Sequence, residues 1–237
     1  MTQSTAPVDA GHRTGRARLI DSHIPAEPEG VVLVLHGGGN RGRPMEVSPA
    51  QLSVLRMIPV AARIAAVTKP RLAVLRLLNS RRGWDSTHTP VDDVDWALAE
   101  VATRFGGDLP VGLVGHSLGG RAALLSAGQA QVAGVVALAP WVYPDDIAAG
   151  VADTLVLIIH GDEDRVALPE RSRRLAAVLG RETPVSYVTV AGGRHAMLAR
   201  RRSFDGLAAD AVAWMLLGEV RGSTVQALAA GPRELRI

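Results

Sequence analysis

The stretch Val111–Gly128, VGLVGHSLGGRAALLSAG, changes character halfway along. Its first residues are apolar or small and do not alternate with polar ones, so they read as a strand buried on both faces. Gly115-His116-Ser117-Leu118-Gly119-Gly120 interrupts that run, and a helical stretch follows at once. A G-x-S-x-G pattern between strand and helix puts the serine on a sharp, strained turn with its hydroxyl exposed. Side chains at the flanking positions would collide with the neighbouring strand and helix, so glycine is needed there. The start of the helix also offers free N–H groups and a positive dipole end, which suit a developing oxyanion.

The same alternation recurs along the chain. Short apolar runs at 31–35, 72–78, 111–115, 132–139, 154–159 and 185–190 read as buried strands. Helical stretches are expected at 49–67, 91–105, 118–129, 168–179 and 204–217, with a breaker at Pro59. Strands alternating with helices predict a mostly parallel sheet covered on both faces. Residues 17–25 can add a strand at its start, and 223–230 a short helix at its end. The expected division is a disordered tail at 1–16, one domain over 17–217, and a tail or short helix over 218–237.

Bulk properties narrow the function. The chain has 237 residues, 47% of them hydrophobic, enough for one sizeable core. Its net charge is only +3 although its pI is near 10.1. Both follow from its bases being arginines with the single exception of Lys69. The arginines are scattered along the chain, so nucleic acid is not an expected partner. The absence of cysteine excludes disulfides, thiol catalysis and cysteine-ligated metals. No apolar run is long enough for a membrane span, and the first eighteen residues hold no apolar block, so a cytoplasmic location is expected.

In open parallel sheets ligands bind beyond the carboxyl ends of the strands. HGGGN follows the first run, GHSLGG the third, HGDEDRV the fifth and AGGRHAM the sixth. A serine needs a base, and a histidine near neutral pKa is the usual one. Of the seven histidines, His195 stands out, after the last run and before the last long helix. His36 is expected to brace the glycine loop, His160 to serve structure, and His116 to pack away from the hydroxyl. The acid that would hold the base's tautomer lies among Asp162, Glu163 and Asp164, with Asp145 as an outside candidate. Gly37, Gly38 and Gly39 let the backbone approach a ligand and, with the N–H of Leu118, could form an oxyanion hole.

Together these segments resemble the α/β-hydrolase superfamily over about residues 31–217. HGGG is similar to its oxyanion loop, GHSLGG to its nucleophile elbow, and GGRHAM to the segment carrying its base. HGDEDRV resembles H-G-x-x-D-x-x-V, which selects Asp164 as the acid. The resemblance implies an α/β-hydrolase fold of about six to eight strands with helices on both faces. It also implies the chain order Ser117, Asp164, His195 for a triad that needs no cofactor or metal. RRGWDS (81–86) is similar to R-G-x-G-x-S, with Asp85 where glycine is usual. Glycine loop and short length are similar to those of compact carboxylesterases and dienelactone-hydrolase-like enzymes.

The expected reaction is cleavage of a small-molecule carboxylic ester, or a related acyl bond, through an acyl-enzyme. Pro140 to Asp153 is too short for a cap domain, so an open site is expected, with Trp84, Trp141 and Tyr143 either walling an acyl pocket or packing on the sheet edge. The rivals are an acyltransferase or thioesterase with the same triad, and a non-catalytic ligand-binding protein on the same fold.

Overall fold

The computed structural model describes residues 16–39, 45–84, 88–143, 145, 146, 150–231 and 234–237. In chain order the elements are β1 (Arg18–His23), β2 (Gly30–Leu35), β3 (Met45–Glu46), α1 (Leu52–Thr68), β4 (Leu72–Leu78), β5 (Arg81–Arg82), α2 (Thr89–Phe105) and β6 (Val111–His116). Then follow α3 (Leu118–Leu125), β7 (Val132–Leu138), β8 (Leu155–Gly161), α4 (Pro169–Leu179), β9 (Val185–Val190), α5 (Arg201–Leu217), α6 (Gly222–Ala229) and β10 (Glu234–Arg236).

Eight strands form one sheet in the order β1-β4-β2-β6-β7-β8-β9-β10. Only β1 runs antiparallel; every other neighbouring pair is parallel. The unbroken apolar runs are explained by burial on both faces. Val31, Leu33 and Leu35 of β2 point to the layer of α2, α3 and α4, whereas Val32 and Val34 point to α1, α5 and α6. This is the mostly parallel, doubly covered sheet expected from the sequence, with no cap domain inserted among the described residues. No helix among them is long and apolar enough to cross a membrane.

Three local features differ from the sequence reading. Pro59 does not break its helix: α1 runs through it, starting only at Leu52. Proline cannot donate to the carbonyl of Leu55, so one bond of the helix is missing, at a residue on the exposed side of α1. Residues 45–46 and 81–82 pair as a two-stranded ladder, too short to leave a periodic signal. Beyond α5 and α6 the chain adds an eighth strand, β10, parallel to β9. Of the expected tail at 1–16, all but Arg16 lies outside the described residues, as does Asp85.

The order of strands positions the site. The chain moves from β2 to β4 on one side, then returns to lay β6 on the other side of β2. The crevice beyond the carboxyl ends of β2 and β6 is therefore a topological switch point, where neighbouring loops diverge and leave room for a ligand.

Candidate active site

The turn after β6 is shaped by close contact. Ser117 has φ 56° and ψ −118°, a sparsely populated conformation for a residue with a side chain. A Cβ on Gly115 would overlap the backbone of Gly119, and one on Gly119 would lie 2.5 Å from the carbonyl oxygen of Leu35. Strand, elbow and helix fit only because these positions carry no side chain. Backbone bonds fix the serine: its N–H donates to Leu138 O at 3.0 Å, and its carbonyl accepts from Arg121 N and Trp141 N, both at 3.1 Å.

Ser117, His195 and Asp164 come together from three strand ends. The Ser117 Oγ lies 3.0 Å from His195 Nε2. His195 Nδ1–H donates to Asp164 Oδ2 at 2.8 Å, which leaves Nε2 as the acceptor of the serine hydroxyl. The Asp164 side chain is fully buried. Its Oδ1 accepts from the backbone N–H of Val166 at 2.8 Å and of Ala167 at 3.0 Å. Burial pushes this carboxyl up, but hydrogen bonds from His160 and His195, the charge on His195 and the Val166 N–H together outweigh it, holding Asp164 well below the usual carboxylate range. Asp162 and Glu163 do not reach His195: they bond Gly192 N with Arg236 and Arg194 respectively.

Gly37 lies against the serine. A Cβ there would stand 2.9 Å from Ser117 Cβ and 3.5 Å from its Oγ, closing the space beside the hydroxyl. His36 braces this loop, donating from Nδ1 to Gly37 O at 2.6 Å and accepting at Nε2 from Asn79 N–H at 3.1 Å. Among the described residues the N–H groups of Gly38 and Leu118 carry no hydrogen bond. Gly37, Gly38, Gly39, Leu118, Trp84, Trp141 and Tyr143 all line one cavity of about 520 Å³ with Ser117 and His195. That is an ordinary size for a small-molecule site. No cluster of side chains able to hold a metal ion is found among the described residues.

Four residues near the centre have contacts that the sequence does not specify: His160 and His116, expected to serve structure and to pack away from the hydroxyl, and Arg56 and Arg121, which had no expected role. His160 Nε2–H is shared between Asp164 Oδ2 at 3.2 Å and Ala167 O at 3.0 Å, so Asp164 receives two histidines. Its Nδ1 faces Ser172 Oγ at 2.7 Å. His116 does not simply pack away from the hydroxyl: it lines the cavity, and its Nε2–H donates to the carbonyl of His195 at 2.8 Å. Arg56 Nε donates to the next carbonyl, Ala196 O, at 2.9 Å, and its Nη2 pairs with buried Asp205 at 2.7 Å. The loop of His195 is thus held by two consecutive carbonyls. Arg121 also lines the cavity, one helical turn beyond Ser117. The signals for His116 and Arg121 were their spacings from Ser117; for His160, four residues from Asp164. Arg56 left none.

His116 makes stability depend on pH. Burial, reinforced by the charge of His195 and only partly opposed by the bond to its carbonyl, pushes His116 down to about 3 from 6.5. Between those values the unfolded chain binds a proton that the folded chain does not. This contribution is therefore complete above pH 6.5 and is lost as pH falls toward the folded value. His36 is also lowered by burial and acts in the same direction. In urea titrations, unfolding free energy should decline on acidification by up to about 1.4 kcal/mol per pH unit through His116 alone. His116→Gln should show a shallower decline. An unchanged slope would contradict the assignment.

Residues 103–205 match the model of the Alpha/beta hydrolase family. No curated protein sequence matches the chain. Among solved structures, an alpha-beta serine hydrolase homologue from Coxiella burnetii is similar at 19% identity and TM-score 0.63, over 88% of this chain and 97% of that one. A lidless serine hydrolase from Xanthomonas campestris is similar at 17% identity and TM-score 0.62, over 89% and 98%. Est1E from Butyrivibrio proteoclasticus, with ferulic acid bound, is similar at 14% identity and TM-score 0.60, over 85% and 96%. At these identities the likeness is one of fold.

Proposed function

We propose that this chain, which has the α/β-hydrolase fold, is a serine hydrolase that cleaves a carboxylic ester or related acyl bond. The observation that carries the reading is the chain of contacts from Ser117 Oγ to His195 at 3.0 Å and from His195 to Asp164 at 2.8 Å. Each atom in it has the donor or acceptor role that base-assisted attack requires.

Ser117 Oγ attacks the acyl carbonyl while His195 Nε2 takes its proton. The carbon becomes tetrahedral, and the negative charge on its oxygen is met by the N–H groups of Leu118 and Gly38, with Gly37 or Gly39 as alternative donors. The imidazolium formed at His195 is stabilised by Asp164, which stays ionised. His195 then gives its proton to the departing alcohol, leaving Ser117 acylated. Water attacks the acyl carbon as His195 removes its proton, and that proton returns to Ser117 as the acid leaves. Trp84, Trp141 and Tyr143 supply apolar walls for the acyl or alcohol group.

The testing experiment combines turnover of para-nitrophenyl butyrate with fluorophosphonate labelling and peptide mapping. Hydrolysis, with the adduct on Ser117, is the expected result. A protein that neither hydrolyses esters nor takes the label would sink the proposal, and an adduct on another serine would displace Ser117.

A further inference from the structure

A second cavity of about 430 Å³ adjoins the one beside Ser117, and Trp141, Tyr143 and Val166 line both. The charged side chains lining the pair, apart from the histidines, are Arg121 in the first and Arg165 and Arg171 in the second. Among the described residues no carboxylate lines either wall.

Arg121 is fixed. Its Nε and Nη2 donate to the two oxygens of Asp146, each at 2.7 Å, and its side chain is only 11% exposed. Its guanidinium lies 4.1 Å from the centre of the Trp84 ring and 4.7 Å from that of Tyr143. Asp146 Oδ2 also accepts the Tyr143 backbone N–H at 2.7 Å, so one carboxylate sets both arginine and aromatic wall. Two nitrogens of Arg121 are thereby occupied. Nη1, on the remaining edge, has no partner among the described residues and is not sealed from solvent.

Arg165 and Arg171 are exposed and form no ion pair among the described residues. The Arg171 guanidinium stands 6.0 Å from the centre of the same Tyr143 ring that Arg121 covers. Asp164 is the nearest acid in sequence to Arg165, but it is sealed and committed to the histidines. Low-dielectric aromatic walls concentrate the field of such unneutralised cations into the cleft.

We propose that the second cavity is an anion subsite: the acyl substrate carries a carboxylate or phosphate, bound beside Tyr143 by Arg171 and Arg165, while the clamped Arg121 holds the other side of the shared wall. This rests on the reading of Ser117 as nucleophile. Arginine suits the role because its remaining N–H groups can pair with an oxyanion in a fixed plane. The subsite acts on selection of substrate, while the bond-breaking steps stay with Ser117 and His195.

Two pairs of substrates, each differing by one anionic group, separate the sources. Para-nitrophenyl hemiglutarate against para-nitrophenyl valerate tests a carboxylate on the acyl side. S-butyryl-phosphopantetheine against S-butyryl-pantetheine tests a phosphate on the leaving side. In at least one pair the charged member should have the higher kcat/KM by about tenfold, as expected for a charge-assisted bond. Arg165→Gln combined with Arg171→Gln should lower that ratio by about the same factor, and Arg171→Lys should retain part of it. Both residues are exposed and outside the core, so folding should survive, as a urea midpoint checks. Preference for the neutral member in both pairs, or a ratio untouched by the double variant, would overturn the subsite while leaving the hydrolase reading intact. No turnover of any of the four, with no label on Ser117, would overturn both.

Discussion

Ser117→Ala should lower kcat for an ester by about a millionfold, the loss seen when a triad nucleophile is removed. That corresponds to about 8 kcal/mol of barrier. The variant keeps His195 and Asp164 but has no oxygen 3.0 Å from His195 Nε2 to carry the acyl group. Only binding and oxyanion contacts remain, which in other triads leave roughly a thousandfold advantage over water. The loss cannot be assigned to unfolding on backbone grounds. Ser117 already holds a Cβ at φ 56°, and alanine places the same atom in the same conformation. A urea midpoint close to that of the parent, together with kcat from single-turnover assays, makes the check. Activity within a hundredfold of the parent would remove Ser117 from the mechanism.

The second large effect belongs to Asp164→Asn, expected to reduce kcat by about ten-thousandfold. Every contact of this carboxylate uses it as an acceptor. Oδ1 takes two backbone N–H groups and Oδ2 takes His195 Nδ1–H and His160 Nε2–H. Asparagine has one oxygen and one NH2, so in either orientation its NH2 faces two other donors. If the NH2 faces the histidines, His195 is driven to the tautomer with its proton on Nε2, where it cannot accept from Ser117. If it faces the loop, Val166 and Ala167 lose their acceptor and the loop shifts. Neither orientation supplies negative charge for the imidazolium. A kcat within tenfold of the parent would mean that Asp164 is not the acid of this centre.

Much of the architecture was legible because its causes are local. Burial on two faces keeps a central strand apolar, so the runs at 31–35 and 132–139 fall within one residue of β2 and β7. The β3–β5 ladder and β10 were not legible: strands of two or three residues carry no periodicity, and their pairing depends on a neighbour supplied by the rest of the chain. Pro59 misled for a related reason. Its cost depends on whether the orphaned carbonyl reaches water, which the position of α1 on the sheet decides.

The candidate site divides the same way. By itself the sequence determined the elbow around Ser117, since steric exclusion at Gly115 and Gly119 acts over a few residues. It also determined that unusual polar residues gather at the ends of β2, β6, β8 and β9, where the apolar runs stop. Only the tertiary structure decided that His160 shares Asp164, that His116 and Arg56 hold the loop of His195, and that Arg121 is clamped by Asp146. Those contacts join residues from separate elements, and a hydrogen bond is won or lost within an ångström or less. The order of parallel strands sets that distance, and linear spacing does not encode it.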